Sequence, residues 1–178
     1  AYGNHEFDSR PEGLAKVIAL SNFPYLCANL DPMPQKGINH IPYKVFNIDG
    51  ISIGVLGVVQ LGTHGLPDTH PNNVRGFPFK PVEEAIAQYA WLTKKCDVNI
   101  LLSHIGYEED VRMAARFPYY DLIIGGHSHT QLKGGEMHNG VLITQNVNRL
   151  KKATLITLTV DNGKVVAKEA KNIDVEHH

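Results

Sequence analysis

The chain has 178 residues with 43% hydrophobic, 20% charged and 8% aromatic content, which places it among single globular domains and excludes collagen-like, coiled-coil and disordered classes. A chain of this length buries about 70% of its unfolded surface, enough for a core without structural metal, and two cysteines are too few for a disulfide framework. With 17 Lys and Arg against 18 Asp and Glu, a formal net charge of -1, there is no electrostatic footprint for nucleic acid or an acidic membrane surface.

Ala1 to Glu6 opens directly on polar, chemically active residues with no introductory strand, so the chain is expected to lack an N-terminal part of its domain. Ser9-Arg10-Pro11-Glu12 has the shape of a capping box, predicting a helix from near Ser9 that ends before Pro24. Phe23 to Ala28 reads as a short buried strand. Tyr43 to Ile48 alternates with period two before Asp49-Gly50 and the apolar run Ile51 to Val59, the pattern of a tight hairpin. Gly62 to Phe79 is rich in Gly, Pro, His and Asn and reads as a long surface loop.

Pro81 starts a helical pattern lasting to about Lys95, with Tyr89 and Trp91 packing it. Asp97 to Ser103 is a buried strand ending at His104, Glu108 to Phe117 a helix with an acidic first turn, and Asp121 to Ile124 a second buried strand. Strand, helix, strand is the grammar of a parallel, helix-covered sheet, so the fold class is α/β. Val141 to Thr144, Ala153 to Val160 and Lys164 to Ala170 are expected to form an antiparallel tail. Residues 1–175 read as one domain, Glu176-His177-His178 as the start of a purification tag. No run reaches the roughly 18 apolar residues of a membrane span.

The unusual count is ten histidines, the commonest metal ligands and the usual acids and bases near neutral pH. Three histidine-bearing segments fall at or just after strand ends: Gly3-Asn4-His5-Glu6-Phe7-Asp8, Ser103-His104-Ile105-Gly106 and Gly125-Gly126-His127-Ser128-His129-Thr130. Glycines beside them let the backbone turn without obstructing a ligand. In an extended turn His127 and His129 point the same way and can face one site. Taken singly these signals have bland readings: Asn4 as a turn residue and Asp8 as a helix cap beside Ser9. His40, His64, His70 and His138 lie in loop-like sequence and read as solvated, Cys27 and Cys96 as small buried hydrophobes.

Together, GNHEFD, SHIGYEED and DLIIGGHSHT in this order, with FPYLCANL, ISIGVLGVV and GFPFKPVEEA between them, resemble the calcineurin-like metallophosphoesterases, in particular their 5'-nucleotidase and UDP-sugar hydrolase branch. The resemblance runs from Gly3 to about Val160. It implies an αββα sandwich, with helices flanking central mixed sheets, that hydrolyses phosphoesters with two divalent metal ions. By motif position Asn4, His104 and His127 would hold one metal and His129 would be a ligand of the other. His5 would be the general acid or transition-state stabiliser, and Asp8 the carboxylate that orients it. Two cations can acidify a bridging water and neutralise phosphoryl oxygens, and imidazole and oxygen ligands suit Mn, Zn, Fe or Co. The implied substrate is a small phosphorylated molecule such as a nucleotide, the implied location periplasmic or cell-surface.

Members of the family carry two further motifs before GNHE, a D-x-H and a G-D whose aspartate bridges both metals, and neither stands in this sequence. The chain is therefore expected to be an incomplete catalytic domain with reduced metal occupancy when alone. The alternative is a non-catalytic, weakly metal-binding module that associates through an exposed sheet edge.

Overall fold

The computed structural model describes residues 1–175; the tag-like residues 176–178 lie outside the described residues. Among the described residues eight strands and three α-helices are formed: α1 Arg10–Leu20, β1 Tyr43–Ile48, β2 Ile51–Val59, α2 Val82–Gln88, β3 Val98–His104, α3 Tyr107–Arg116, β4 Leu122–Ile124, β5 Glu136–His138, β6 Val141–Thr144, β7 Lys152–Asp161 and β8 Lys164–Asp174. Six strands make one mixed sheet in the order β1-β2-β3-β4-β6-β5. Its centre, β2 through β6, is parallel, and its two edges are antiparallel hairpins. β7 and β8 form a separate two-stranded sheet. This is the mixed α/β architecture expected from the strand-helix-strand pattern.

The pattern dictates the layers. Leu56, Val58, Leu101, Ile123 and Ile143 project to one face and pack with Ala85 and Ile86 of α2 and Met113 and Ala114 of α3. The other face carries a second cluster, in which Val59 meets Tyr2, Phe7, Leu14 of α1, Leu30 and Ile38. Around Phe23, Phe46, Val55 and Leu102 that face is an open apolar groove.

Several expectations change. Ser9 precedes α1, yet its side chain caps nothing, so the box is not formed. Phe23 to Ala28 is not a strand: Leu26 makes a single bridge to Ile41, with its backbone laid directly over Gly57. The helix from Pro81 stops at Gln88 and continues as a 3-10 turn over Ala90–Lys94, which sets Tyr89 and Trp91 against Tyr43 at 5.6 and 5.5 Å. Val141 to Thr144 does not belong to the tail. All four residues are buried and the strand runs parallel to β4, as a continuous apolar run in a covered sheet should.

His40, read as solvated, is 7% exposed. Its Nε2 donates to the Leu30 carbonyl at 2.7 Å, which leaves Nδ1 to accept from the Tyr2 hydroxyl at 3.4 Å. Burial holds its pKa below the ordinary 6.5. The unfolded chain therefore takes up a proton near pH 6.5 that the folded chain resists, and stability falls as pH drops from that value. His40→Gln, which keeps one donor and one acceptor, should flatten this decline, measured as denaturant midpoints from pH 7 to 5. His138 is half-buried, with Nε2 3.2 Å from the Tyr107 hydroxyl, whereas His64 and His70 are exposed as expected.

Candidate metal centre and active site

The carboxyl ends of four adjacent parallel strands deliver the site, the place where open α/β sheets keep their ligands. β2 leads into the 60–79 loop, β3 ends on His104, β4 runs into Gly125–Thr130, and β6 into Gln145. Register holds them level: Val59 pairs with His104, Leu102 with Ile124, and Ile124 with Thr144. The Asn4–Phe7 turn is pinned beside them by Tyr2 and Phe7, which are 0% and 1% exposed. Within that turn Asn4 is buried and His5 exposed.

Asn4 Nδ2 donates to the Asp68 carbonyl at 2.8 Å, so its Oδ1 must face the other way. There it lies 3.1 Å from His104 Nε2 and 3.3 Å from His127 Nδ1. The two imidazoles meet edge to face at 5.4 Å. Two glycines make room for the His104 ring: a Cβ on Gly3 would stand 2.9 Å from Cε1, and one on Gly126 2.9 Å from Nδ1. The glycines thus serve a close approach of His104, where the sequence suggested an unobstructed turn. Burial, then the neighbouring His127, His5 and His129, press the His104 pKa down to about 4, so its imidazole is neutral and ligand-ready near neutral pH.

His5 shares no hydrogen bond with this group. Its Nδ1 is 2.7 Å from Asp8 Oδ2, and Asp8 Oδ1 accepts from the Thr69 hydroxyl at 2.8 Å. These bonds, His5 first, hold the Asp8 carboxyl below its usual range. Between capping α1 and meeting His5, the structure places Asp8 on His5. His129 joins no hydrogen bond with the other candidates and is exposed. The extended-turn expectation fails because His127 and His129 both adopt left-handed backbone, with φ of 78° and 53°, so the period-two rule does not apply.

Three contributors lie outside the sequence motifs. Asp68 supplies the carbonyl that orients Asn4, and its Oδ2 is 3.7 Å from His127 Nε2. Thr69 braces Asp8. Gln145 accepts from the Thr130 N–H at 2.7 Å and the Ser128 hydroxyl at 2.8 Å, behind the His127–His129 turn. Nothing in the Pro- and His-rich loop distinguishes Asp68 or Thr69 from a solvated surface residue. Gln145 carries one weak signal, a polar residue directly after a fully apolar strand.

Among the described residues no three His, Cys, Asp or Glu side chains stand together as a metal cluster. What converges is one amide oxygen and two imidazole nitrogens, a donor set suited to a borderline divalent cation. The sequence profile of calcineurin-like phosphoesterases matches residues 1–131. The chain belongs to that family. Its members generally use divalent metals. Rat 5'-nucleotidase is 34% identical over 142 residues, 76% of this chain and 24% of its own length. An apyrase of Aedes aegypti is 34% identical over 139 residues, 73% of this chain and 24% of the relative. The crystal structure of a 5'-nucleotidase precursor from Thermus thermophilus superposes with a TM-score of 0.81 at 28% identity, covering 97% of this chain and 38% of that one. The chain spans about a quarter of the length of these curated relatives.

Proposed function

We propose that the protein carrying this chain is a two-metal phosphoester hydrolase of the 5'-nucleotidase type, and that Asn4, His104 and His127 hold one of its two divalent cations. The observation that carries this reading is the convergence of Asn4 Oδ1, His104 Nε2 and His127 Nδ1 at the strand ends, with the His5–Asp8 pair beside them. Bound there, divalent cations such as Mn, Zn, Fe or Co supply Lewis-acid polarisation of phosphoryl oxygens and a water acidified towards neutrality. The chain's own residues do the rest. Asp68 turns the Asn4 oxygen inward, and burial keeps His104 unprotonated and available. Asp8 engages His5 at Nδ1, which leaves Nε2 open to donate a proton to the leaving oxygen or to stabilise charge on phosphorus-bound oxygen. His129, on the neighbouring exposed turn, is assigned to the second cation.

The substrate class follows from the curated relatives, which support a nucleotide carrying a 5'-phosphate. Assaying the full-length protein with AMP and Mn should give metal-dependent phosphate release. A folded full-length protein that releases phosphate from no nucleotide or model ester overturns the reading. A non-catalytic, weakly metal-binding module that associates through an exposed sheet edge is the second reading, favoured by the open apolar groove that reaches Phe46 on the edge strand β1; native mass showing this chain as a lone monomer overturns it.

A further inference from the structure

A buried polar thread runs behind the histidines, and the chemistry above does not use it. Gln145 is 3% exposed, and its Oε1 holds Ser128 and Thr130, the residues on either side of His129. Ser128 Oγ also accepts from the Tyr107 N–H at 3.0 Å, tying the turn to the start of α3. Such ties are needed, since a left-handed backbone is unfavourable for a non-glycine residue and this turn has it at both His127 and His129. The far end of Gln145 is less easily explained: Nε2 is buried with no partner.

Asp110 mirrors it. It is 0% exposed on α3, its Oδ1 accepts from the hydroxyl of Ser103, the residue before His104, and its Oδ2 is buried with no partner. Orphan acceptor and orphan donor both face Gly125: a Cβ there would press on Asp110 Oδ2 and stand 3.1 Å from Gln145 Nε2. A buried polar group left unpaired is costly. Desolvation lifts the Asp110 carboxyl to about 7, opposed by the Ser103 hydroxyl, and an amide donor at Oδ2 would oppose it further.

We propose that a small rotation of the two side chains makes Asp110 and Gln145 hydrogen-bond partners across Gly125, the positioning pair that fixes His104 relative to the His127–His129 turn. The pair rests on the metal-centre reading, because its purpose is to hold ligands that chemistry requires. Neither residue touches substrate. Both are positioning residues, in the manner of the outer partners that orient metal-ligating histidines.

The test is a cycle of substitutions in the full-length protein, read as Mn affinity by calorimetry and as hydrogen exchange of the Thr130 amide. Gln145→Leu removes the acceptor and should weaken Mn binding about 10- to 100-fold and speed Thr130 exchange. Gln145→Glu alone sets two carboxylates face to face, and Asp110→Asn alone two donors, so each should weaken Mn binding. The combined D110N/Q145E exchanges donor and acceptor while keeping the bonds to Ser103, Ser128 and Thr130, and should return affinity to within about threefold of wild type. Gln145→Leu binding Mn like wild type, or a double variant impaired by the sum of its singles, overturns the pair. If Gln145→Leu does not fold, the three shape-conserving variants decide. If the wild type takes up no Mn, the Thr130 exchange rates of the same proteins decide. Phosphate release enters neither readout. A protein that binds Mn but hydrolyses nothing refutes the hydrolase and leaves the pair, whereas an active enzyme indifferent to Gln145→Leu refutes the pair alone.

Discussion

Replacing His5 with alanine in the full-length protein should lower kcat by about 10²- to 10⁴-fold, the contribution a positioned general acid supplies, with divalent-cation affinity unchanged. The separation follows from the partner the side chain takes. His5 is 77% exposed and bonded to Asp8, and it shares no hydrogen bond with Asn4, His104 or His127. Asp8 in turn is fixed by Thr69 and by Asn73 Nδ2, which donates to the Asp8 carbonyl at 3.4 Å, so the imidazole is held on a braced carboxylate. Stability should hardly change, since an exposed side chain is removed and the turn stays anchored by Tyr2 and Phe7. Steady-state kinetics beside a Mn titration check the prediction. A cation affinity that falls in step with kcat would move His5 into the ligand set and leave the acid unassigned.

Legibility in the sequence followed the range of the interactions. The hairpin over Asp49-Gly50 and the buried runs of β3 and β4 were readable because turn chemistry and apolar pattern are local and agree with the sheet that forms. The three histidine motifs were readable because strand ends and glycines mark them. What escaped depends on contacts distant in the chain. Val141 to Thr144 carries no mark of joining β4, and Glu136 to His138 is too short and polar to signal the edge strand it becomes. His40 looks like a loop residue until Leu30 and Tyr2 close over it. Asp68 reaches Asn4 across 64 positions through a backbone carbonyl, a group every residue possesses and no sequence pattern can single out. The turn that carries His127 and His129 departs from the period-two pattern for a related reason: a left-handed backbone at non-glycine residues is imposed by surroundings, here Ser128, Thr130 and Gln145, rather than by the residues themselves.

That imposed turn gives the second large effect. His127→Ala should weaken divalent-cation binding by about 10²-fold, taking one ligand as roughly a quarter of a ~12 kcal/mol site, ~3 kcal/mol. His127→Gly should lose the same affinity, because both remove the nitrogen that faces Asn4 Oδ1 at 3.3 Å. The two variants should part in stability. At a φ of 78° alanine retains the left-handed penalty that glycine escapes, so without metal the glycine variant should unfold at higher denaturant by about 1 kcal/mol, less its greater unfolded-state entropy. Calorimetric Mn titrations and urea midpoints of the two metal-free variants provide the comparison. Equal stability would mean that the turn relaxes out of the left-handed region once the imidazole is gone. A glycine advantage would mean that the surrounding hydrogen bonds hold the strained backbone without it. In that case the scaffold, and not the metal, pays for presenting His127, which is what a site preorganised before its cation arrives requires.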